Sequence, residues 1–233
     1  MSQVYCGIIF DFDYTLADSS RGVVDCIDYA LRAMGLEAVS PEQARRTIGL
    51  SLPETLAQLA GEGSRGRGEE FARRFVERAE QVMVAGTVLF EPVPKVLPLL
   101  KARGLRLGIV SAKFRYRIQA TLQRDGLLDL FDVIVGGEDV SKPKPDPEGA
   151  LRAVERLGLR PAQCLYVGDS VVDAETARRA GIPFVAVLSG VTRLKDLAGH
   201  PIHACVQNLA QLPGLLGLGW EEVAGAGSGE PPR

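Results

Sequence analysis

Hydrophobic and polar residues follow different periods in different parts of the chain. A continuous apolar run from Val4 to Phe10 has the pattern of a strand buried on both faces. From residue 17 to about residue 87, apolar positions recur at helical spacing and no strand signal interrupts them. From about residue 88 onward, short apolar runs alternate with amphipathic stretches. The pattern therefore predicts a strand, an all-helical segment, and then alternating strands and helices.

The helical segment directly follows the first strand. Its first helix is predicted to begin after the capping residues Asp18 and Ser19 and to end with Met34, before Gly35. A glycine-rich stretch, residues 61–68, is predicted to be a flexible connection before the last helix. The other predicted helices of this segment are residues 42–47, 53–60 and 69–84.

Alternation of strands with helices in the later region indicates a parallel, doubly wound sheet. Pro98 lies within a predicted helix and removes a backbone donor, so we expect a kink or a late start there. Asp146 should cap a later helix. The buried stripe of that helix is predicted to be Ala150, Leu151, Val154 and Leu157. The predicted strands of this region are residues 106–110, 131–135, 164–167, 184–188 and 202–206.

These elements predict an α/β protein with a Rossmann-like parallel-sheet core and an α-helical cap. The core would comprise residues 1–16 and 88–218, and the cap residues 17–87. The Gly/Pro-rich tail, residues 219–233, is predicted to be disordered.

Composition narrows the possible functions. The chain has 233 residues, a net charge of −2 and 46% hydrophobic residues, which gives ample core but no general attraction to nucleic acid or membrane. No apolar run approaches about 20 residues, and no signal peptide precedes the first strand, so the cytoplasm is the expected compartment. The four cysteines lack CxxC spacing and are expected to be buried free thiols. Only two histidines are present, which argues against a zinc site or a histidine-based triad.

Candidate chemistry begins at the end of the first strand, where Asp11 and Asp13 stand two residues apart. Carboxyl ends of strands in open α/β sheets are where ligands bind. Two carboxylates at such a position repel each other and need a cation, a proton or a network of hydrogen bonds. A Mg²⁺ ion meets that need because it favours carboxylate oxygen.

Further polar groups stand at or beyond the ends of later strands, and parallel strands would bring them to the same edge as Asp11 and Asp13. They are Ser111, Lys142, Asp169 and Asp173. A carboxylate at Asp11 could attack phosphorus and form an aspartyl-phosphate, while Asp13 moves protons. Ser111 and the N–H groups that open the following helix could hold phosphoryl oxygens, and Lys142 would add positive charge. Asp169 could complete a Mg²⁺ site that Asp173 orients.

Four segments together resemble, in order and spacing, the motifs of the haloacid dehalogenase-like hydrolase superfamily. They are Asp11-Phe12-Asp13-Tyr14-Thr15, Ser111, Lys142-Pro143-Lys144-Pro145-Asp146-Pro147 and Gly168-Asp169-Ser170-Val171-Val172-Asp173. The Lys-Pro-x-Pro-x-Pro pattern and the helical insert look like the phosphoglycolate phosphatase-like branch. That branch also holds pyrophosphatases, nucleotidases and β-phosphoglucomutases. The match covers about residues 4–215.

The resemblance implies roles for the matching positions. Asp11 would be nucleophile and metal ligand, and Asp13 the acid/base with its backbone carbonyl on the metal. Asp169 would be the third protein ligand of the metal. Thr15 would support the loop, and the phosphate-binding positions would be Ser111, Ala112 and Lys142. Asp173 and Ser170 would surround and orient the metal ligands. The neighbouring Lys144 is the competing lysine; Lys142 is preferred because it precedes the first proline, as in the family pattern.

Two residues depart from the family pattern. Tyr14 replaces a common glycine and is expected to add bulk near the cap entrance. Ala112 stands where phosphoglycolate phosphatases often carry asparagine, so a side-chain contact is lost while the backbone N–H remains. A substrate loop on the cap could comprise Arg45, Arg46, Thr47, Gly49 and Ser51, although a solvated surface is favoured for the arginines.

The preferred hypothesis is a Mg²⁺-dependent phosphatase acting on a small phosphorylated metabolite, with phosphoglycolate as the leading substrate. A β-phosphoglucomutase-like phosphomutase, or a pyrophosphatase or nucleotidase of the same superfamily, remains an alternative. A non-catalytic binding protein would require a lost catalytic residue, and none is lost. The protein is expected to be a monomer or a homodimer.

Overall fold

The structure, a computed structural model, describes residues 5–218. Val4 and the predicted tail at 219–233 lie outside the described residues. The strands are β1 (Gly7–Phe10), β2 (Ala17–Asp18), β3 (Val88–Leu89), β4 (Arg106–Val110), β5 (Val133–Val135), β6 (Cys164–Gly168), β7 (Phe184–Val187) and β8 (Ala204–Val206). The helices are α1 (Ser20–Ala33), α2 (Pro41–Arg45), α3 (Leu52–Ala60), α4 (Gly68–Val82), α5 (Val93–Ala102), α6 (Arg115–Arg124), α7 (Glu148–Arg156), α8 (Val171–Ala180) and α9 (Leu212–Leu215).

A six-stranded parallel sheet forms the core, in the order β5-β4-β1-β6-β7-β8. Ile8 and Phe10 of β1 enter one hydrophobic cluster and Ile9 enters the other, because successive side chains of a strand point to opposite faces. Both faces are covered, which explains the uninterrupted apolar run of the first strand. The predicted α/β fold with a parallel sheet is confirmed.

The helices between β2 and β3 have a hydrophobic cluster of their own. Ile27 and Leu31 of α1 and Phe71 and Phe75 of α4 are spaced four residues apart, so each pair lies on one helix face, and all four are buried in this cluster. Their apolar faces pack together without help from the sheet. We call residues 17–89 the cap.

The chain enters and leaves the cap through two short strands that pair with each other. β2 and β3 are antiparallel, with Ala17 opposite Leu89 and Asp18 opposite Val88. The expectation of a cap without strands is therefore wrong at its boundary, because two-residue strands are too short to give an apolar alternation in the sequence. Residues 62–67, within the predicted flexible connection, form a 3₁₀ helix.

One expectation about the core is also wrong. Leu151 was expected to be buried but is 42% exposed. The buried face of α7 consists of Ala150, Ala153 and Val154, and Leu151 lies outside that face and points toward solvent. Of the two alternatives for Pro98, a kink or a late start, the late start is excluded, because helix α5 begins at Val93 and contains Pro98. Pro98 is exposed, so the carbonyl that lacks its helical donor can bond water.

Not all the cysteines are buried. Cys205 is exposed on the edge strand β8, and Cys6 is partly buried. Within residues 5–218, no helix combines the length and the apolar character needed to cross a membrane.

Candidate active site

The predicted site residues converge at the carboxyl ends of β1, β4 and β6. β1 lies between the other two strands, and the chain leaves it first toward β4 and later returns to its other side at β6. The N–H of Asp11, directly after β1, donates to the carbonyl of Val167 in β6 at 2.9 Å. A reversal of strand order of this kind opens a crevice at the carboxyl ends, where α/β proteins bind ligands.

Three buried carboxylates form a cluster in this crevice. Oxygen atoms of Asp11, Asp169 and Asp173 lie within 4.8 Å of one another. Burial, helped by the carboxylates of Asp173 and Asp13, raises the pKa of Asp11 to about 7 despite the opposing charge of Lys144. Burial also raises the pKa of Asp169, with Asp173 and Asp11 adding to the rise. The cluster therefore gathers more negative charge than its protein surroundings neutralise.

The lysine beside this cluster is Lys144. Its Nζ lies 3.0 Å from Oδ1 of Asp11 and 2.7 Å from Oδ1 of Asp173, and its side chain is 6% exposed. Burial alone would lower the pKa of Lys144, but the carboxylates of Asp11 and Asp173 outweigh burial and hold it well above its ordinary value. Lys144 is therefore a fixed positive charge beside Asp11.

Lys142, the lysine preferred from the sequence, does not occupy that position. Its side chain is exposed, and its backbone N–H donates to the carboxylate of Glu148 at 3.0 Å. This contact fixes the main chain at the start of the loop, and the buried position falls two residues later. Both lysines line the same cavity, described below. The structure thus corrects the choice between the two lysines of the motif.

Lys113 is a site residue that sequence reasoning missed. Its Nζ lies 2.9 Å from Oδ1 and 3.0 Å from Oδ2 of Asp13, and its side chain is 5% exposed. The available signal was a lysine two residues after Ser111, in the loop between β4 and α6. Thr15 occupies its predicted supporting position, where its hydroxyl donates to Oδ1 of Asp169 at 3.3 Å.

Ser111 and Ala112 lie in the loop after β4 and line the cavity. The hydroxyl of Ser111 accepts a long hydrogen bond, 3.4 Å, from the N–H of Lys113. The N–H of Arg115, at the start of α6, is already bonded to the carboxylate of Glu138 at 2.8 Å. The helix start therefore offers fewer free donors for a phosphate than the sequence suggested. The N–H of Ala112 has no hydrogen-bond partner within residues 5–218 and remains as a donor.

Asp173 is held by a network of its own. Its Oδ2 accepts from the hydroxyl and the N–H of Ser170, at 2.5 and 3.2 Å, and its own N–H donates back to that hydroxyl. Its Oδ1 is bonded to Lys144, and the Tyr166 hydroxyl lies 3.4 Å away. Both carboxylate oxygens of Asp173 already accept hydrogen bonds from protein groups. Asp173 is therefore better placed to hold Lys144 than to coordinate a cation through both oxygens. The two remaining carboxylates, Asp11 and Asp169, are the freer ones.

A cavity of about 290 Å³ extends from these strand ends into the cap. Asp13, Ser111, Lys113 and Lys144 lie at its core end. The cap contributes a mainly apolar wall that includes Val23, Ile27, Leu50, Leu52, Phe75 and Met83. The cap residues Thr47, Gly49 and Ser51 line the cavity as well, whereas Arg45 and Arg46 are exposed and do not.

Tyr14 does not line this cavity, contrary to expectation. It adopts the left-handed backbone conformation with φ of 61°, which favours glycine, the common residue at this position in the family pattern that the motif resembles. Its side chain is buried, and its Cβ lies near Gly190, where an added Cβ would come within 3.0 Å of it. The Ser189 hydroxyl donates to the carbonyl of Tyr14 at 2.5 Å. Tyr14 therefore stabilises the loop after β1 and leaves the substrate space to other residues.

The fold and this site define an α/β protein with a parallel-sheet core, a helical cap and a cluster of buried carboxylates at the carboxyl ends of its strands. A sequence profile of the haloacid dehalogenase-like hydrolase family matches residues 8–187. The chain is 32% identical to a phosphoglycolate phosphatase from Aquifex aeolicus, covering 81% of this chain and 87% of that protein. It is 33% identical to a phosphoglycolate phosphatase from Shigella boydii, covering 91% and 92%.

A crystal structure from Bacteroides fragilis, described as a haloacid dehalogenase-like hydrolase, matches with a TM-score of 0.86. The two proteins are 42% identical over 89% of this chain and 99% of that one. The chain belongs to the haloacid dehalogenase-like hydrolase family, and it is an enzyme of the phosphatase type within that family. The resemblance stated from the sequence motifs is confirmed.

Proposed function

We propose that this enzyme hydrolyses a small phosphomonoester in a Mg²⁺-dependent reaction through an aspartyl-phosphate on Asp11. The observation that supports this proposal best is the buried cluster of Asp11 and Asp169 beside Lys144, a lysine that also lines the core end of the cavity. The cavity volume of about 290 Å³ is at the low end of ligand pockets, which suits a small metabolite. Phosphoglycolate is the first substrate to test because the curated relatives carry that name.

The residues present fit a divalent cation. Oδ1 of Asp11 is buried and lies 3.0 Å from Nζ of Lys144, but it accepts no well-aligned hydrogen bond within residues 5–218. Oδ1 of Asp13 is likewise buried, with Nζ of Lys113 at 2.9 Å and no well-aligned hydrogen bond from the same residues. All-oxygen donors and an excess of negative charge favour a hard cation such as Mg²⁺. Asp11 and Asp169 would hold it together with the backbone carbonyl of Asp13, and Asp173 and Ser170 would orient them.

The reaction divides between the two aspartates of the first loop. A carboxylate oxygen of Asp11 attacks phosphorus, and the bond from phosphorus to the leaving oxygen breaks. Asp13 gives that oxygen its proton, then removes a proton from the water that attacks the aspartyl-phosphate and releases inorganic phosphate. A bound Mg²⁺ would offset the repulsion between the anionic nucleophile and the anionic substrate.

Other residues position the phosphoryl group. Lys144 neutralises charge at Asp11, and Ser111 and the N–H of Ala112 are placed to bond phosphoryl oxygens. Lys113 holds Asp13 through its ion pair and adds positive charge at the core end of the cavity. A cytoplasmic location and a monomeric or homodimeric state belong to the same proposal and stay predictions.

The test is release of inorganic phosphate from phosphoglycolate and from p-nitrophenyl phosphate, with Mg²⁺ and with EDTA. We expect turnover only with the cation, and we expect Asp11→Asn to retain its circular dichroism spectrum and less than about 1% of the activity, since the nucleophile is lost. Residual activity well above that level would exclude Asp11 as nucleophile. Product analysis with sugar phosphates provides the second check, because isomerisation without phosphate release would identify a phosphomutase.

A further inference from the structure

Arg117 is a buried cation of the cavity that the proposed reaction does not use. It lies in the first turn of α6, on the core side, and it lines the same cavity as Asp13 and Lys144. The residue is 4% exposed. Arginine is rarely buried without a partner for each of its donors, so its surroundings require an explanation.

Only part of its guanidinium is satisfied within residues 5–218. Nη2 donates to Glu80 of α4 at 2.6 Å, while Nε is buried and has no hydrogen-bond partner there. Glu80 is 52% exposed at its side chain and does not line the cavity. A buried donor without an acceptor destabilises the folded state, and more so when the group is charged. An acceptor that came within hydrogen-bond distance of Nε would remove that cost.

The guanidinium is also held in place. Its central carbon lies 5.2 Å from the ring centroids of both Phe114 and Tyr116. The Tyr116 hydroxyl donates to the same carboxylate of Glu80. The hydrogen bond from Tyr116, and then the one from Arg117, lower the pKa of Glu80 and keep this counter-ion charged. Arg117 is therefore a preorganised cation, and little conformational freedom is lost when it binds an anion.

The charge of the cavity favours an anionic substrate beyond its phosphate. Four basic side chains, Lys113, Arg117, Lys142 and Lys144, line its described part, against two acidic ones, Asp13 and Asp146. Lys113 is paired with Asp13 and Lys144 with Asp11, so these two lysines lie where the phosphoryl group of the substrate would bind. Arg117 is the buried basic residue of the cavity that is not paired with Asp11 or Asp13. The cap wall of the cavity is mainly apolar.

We propose that Arg117 is the specificity-determining residue of this enzyme and binds a carboxylate on the organic part of the substrate. The substrate class is then a phosphomonoester of a short hydroxy acid, whose hydrocarbon part lies against the apolar cap wall. The inference rests on the proposed phosphatase function and narrows its substrate. It assigns recognition to the core helix α6, whereas the sequence offered a possible substrate loop on the cap.

Two matched pairs of esters test the proposal: phosphoglycolate against ethyl phosphate, and 4-carboxyphenyl phosphate against phenyl phosphate. Within each pair, the ratio of kcat/KM for the carboxylate ester to that for the neutral ester measures carboxylate recognition. We expect Arg117→Met to lower this ratio about ten-fold to a hundred-fold, the range for losing a hydrogen bond between charged groups. An unchanged ratio would overturn the proposal.

Two control variants separate recognition from a purely structural role. Arg124, also on α6, donates to the carbonyls of Val84 and Thr87 and joins the core to the end of the cap without lining the cavity. Arg124→Met should therefore leave the ratio within about three-fold of wild type. Glu80→Gln removes the competing anion, so the ratio should hold or rise. If either control lowers the ratio as far as Arg117→Met, Arg117 acts only through the contact between core and cap.

Binding separates failure of this inference from failure of the proposed function. Titration calorimetry with Asp11→Asn, with and without Arg117→Met, gives the affinities for 4-carboxyphenyl phosphate and phenyl phosphate without turnover. A preference of at least ten-fold for the carboxylate ester that disappears with Arg117 supports the inference even if no ester is hydrolysed. Turnover of both esters without any preference would overturn the inference and leave the phosphatase proposal intact.

Discussion

Exchange of Lys144 for methionine tests the arrangement of the site most directly. The variant keeps much of the side-chain volume but removes the charge that lies 3.0 Å from Asp11 and 2.7 Å from Asp173. Lys142→Met is the matched control, since it makes the same change two residues away on an exposed side chain. The pair of variants also decides between the lysine preferred from the sequence and the lysine found in the structure.

The magnitudes follow from burial. Removing one partner of a buried ion pair costs about 3–5 kcal/mol, because the remaining charge has no partner. Asp11 can take up a proton once Lys144 is gone, since its pKa is already raised to about 7, so the lower end of that range applies. We expect Lys144→Met to lower the free energy of unfolding by about 3 kcal/mol in EDTA. Lys142→Met should cost under about 0.5 kcal/mol.

Urea unfolding in EDTA at pH 7.5 measures the stability, and steady-state hydrolysis of p-nitrophenyl phosphate measures the activity. Loss of a preorganised charge at the reacting phosphate should lower kcat of Lys144→Met about 10²–10³-fold, while Lys142→Met stays within about three-fold. The reasoning is refuted if Lys142→Met loses as much activity as Lys144→Met. It is also refuted if Lys144→Met is as stable as wild type without a divalent cation.

Two further predictions concern the loop after the first strand. Because the folded-state pKa of Asp11 lies above its unfolded value, its contribution to stability is present below about pH 4 and lost as pH rises through about 7. The metal-free protein should therefore have a lower Tm at pH 8 than at pH 5. Asp11→Asn or added Mg²⁺ should reduce this difference in Tm between the two pH values. A Tm that rises from pH 5 to pH 8 would contradict the argument. Tyr14→Gly relieves about 1–2 kcal/mol of left-handed backbone strain but loses a buried aromatic side chain worth about 3–5 kcal/mol, so we expect a net loss of about 2 kcal/mol. Urea midpoints measure that loss, and a stabilised variant, or one with altered substrate ranking, would show that Tyr14 has a different role.

The fold followed from the sequence because each core element carries a complete local signal. The buried run before Asp11, the glycines after the helices and the alternation of strands with helices all pointed to one parallel sheet. The positions of Asp11, Asp13 and Asp169 followed as well, since strand ends of a parallel sheet share one edge. What the sequence lacked was the course of individual loops between those ends.

The choice between Lys142 and Lys144 shows the limit. Both lysines precede a proline, and no local pattern distinguishes them; a contact from the loop to Glu148 decides which side chain turns inward. Arg117 shows the same limit, because the burial of a charged residue in an amphipathic helix depends on Glu80, 37 residues away. Tyr14 was misplaced because the sign of its φ angle cannot be seen from residue type when the usual glycine is absent.

The pairing of β2 with β3 has a consequence for how this enzyme can diversify. Ala17 and Leu89 stand opposite each other, so the chain departs from the core and returns to it at nearly the same point. An insertion whose two ends lie side by side leaves the sheet beneath it undisturbed, whatever its length or internal architecture. The cap can accordingly be exchanged as a unit. Grafting caps between family members at this junction is a route to new substrate ranges on an unchanged catalytic core.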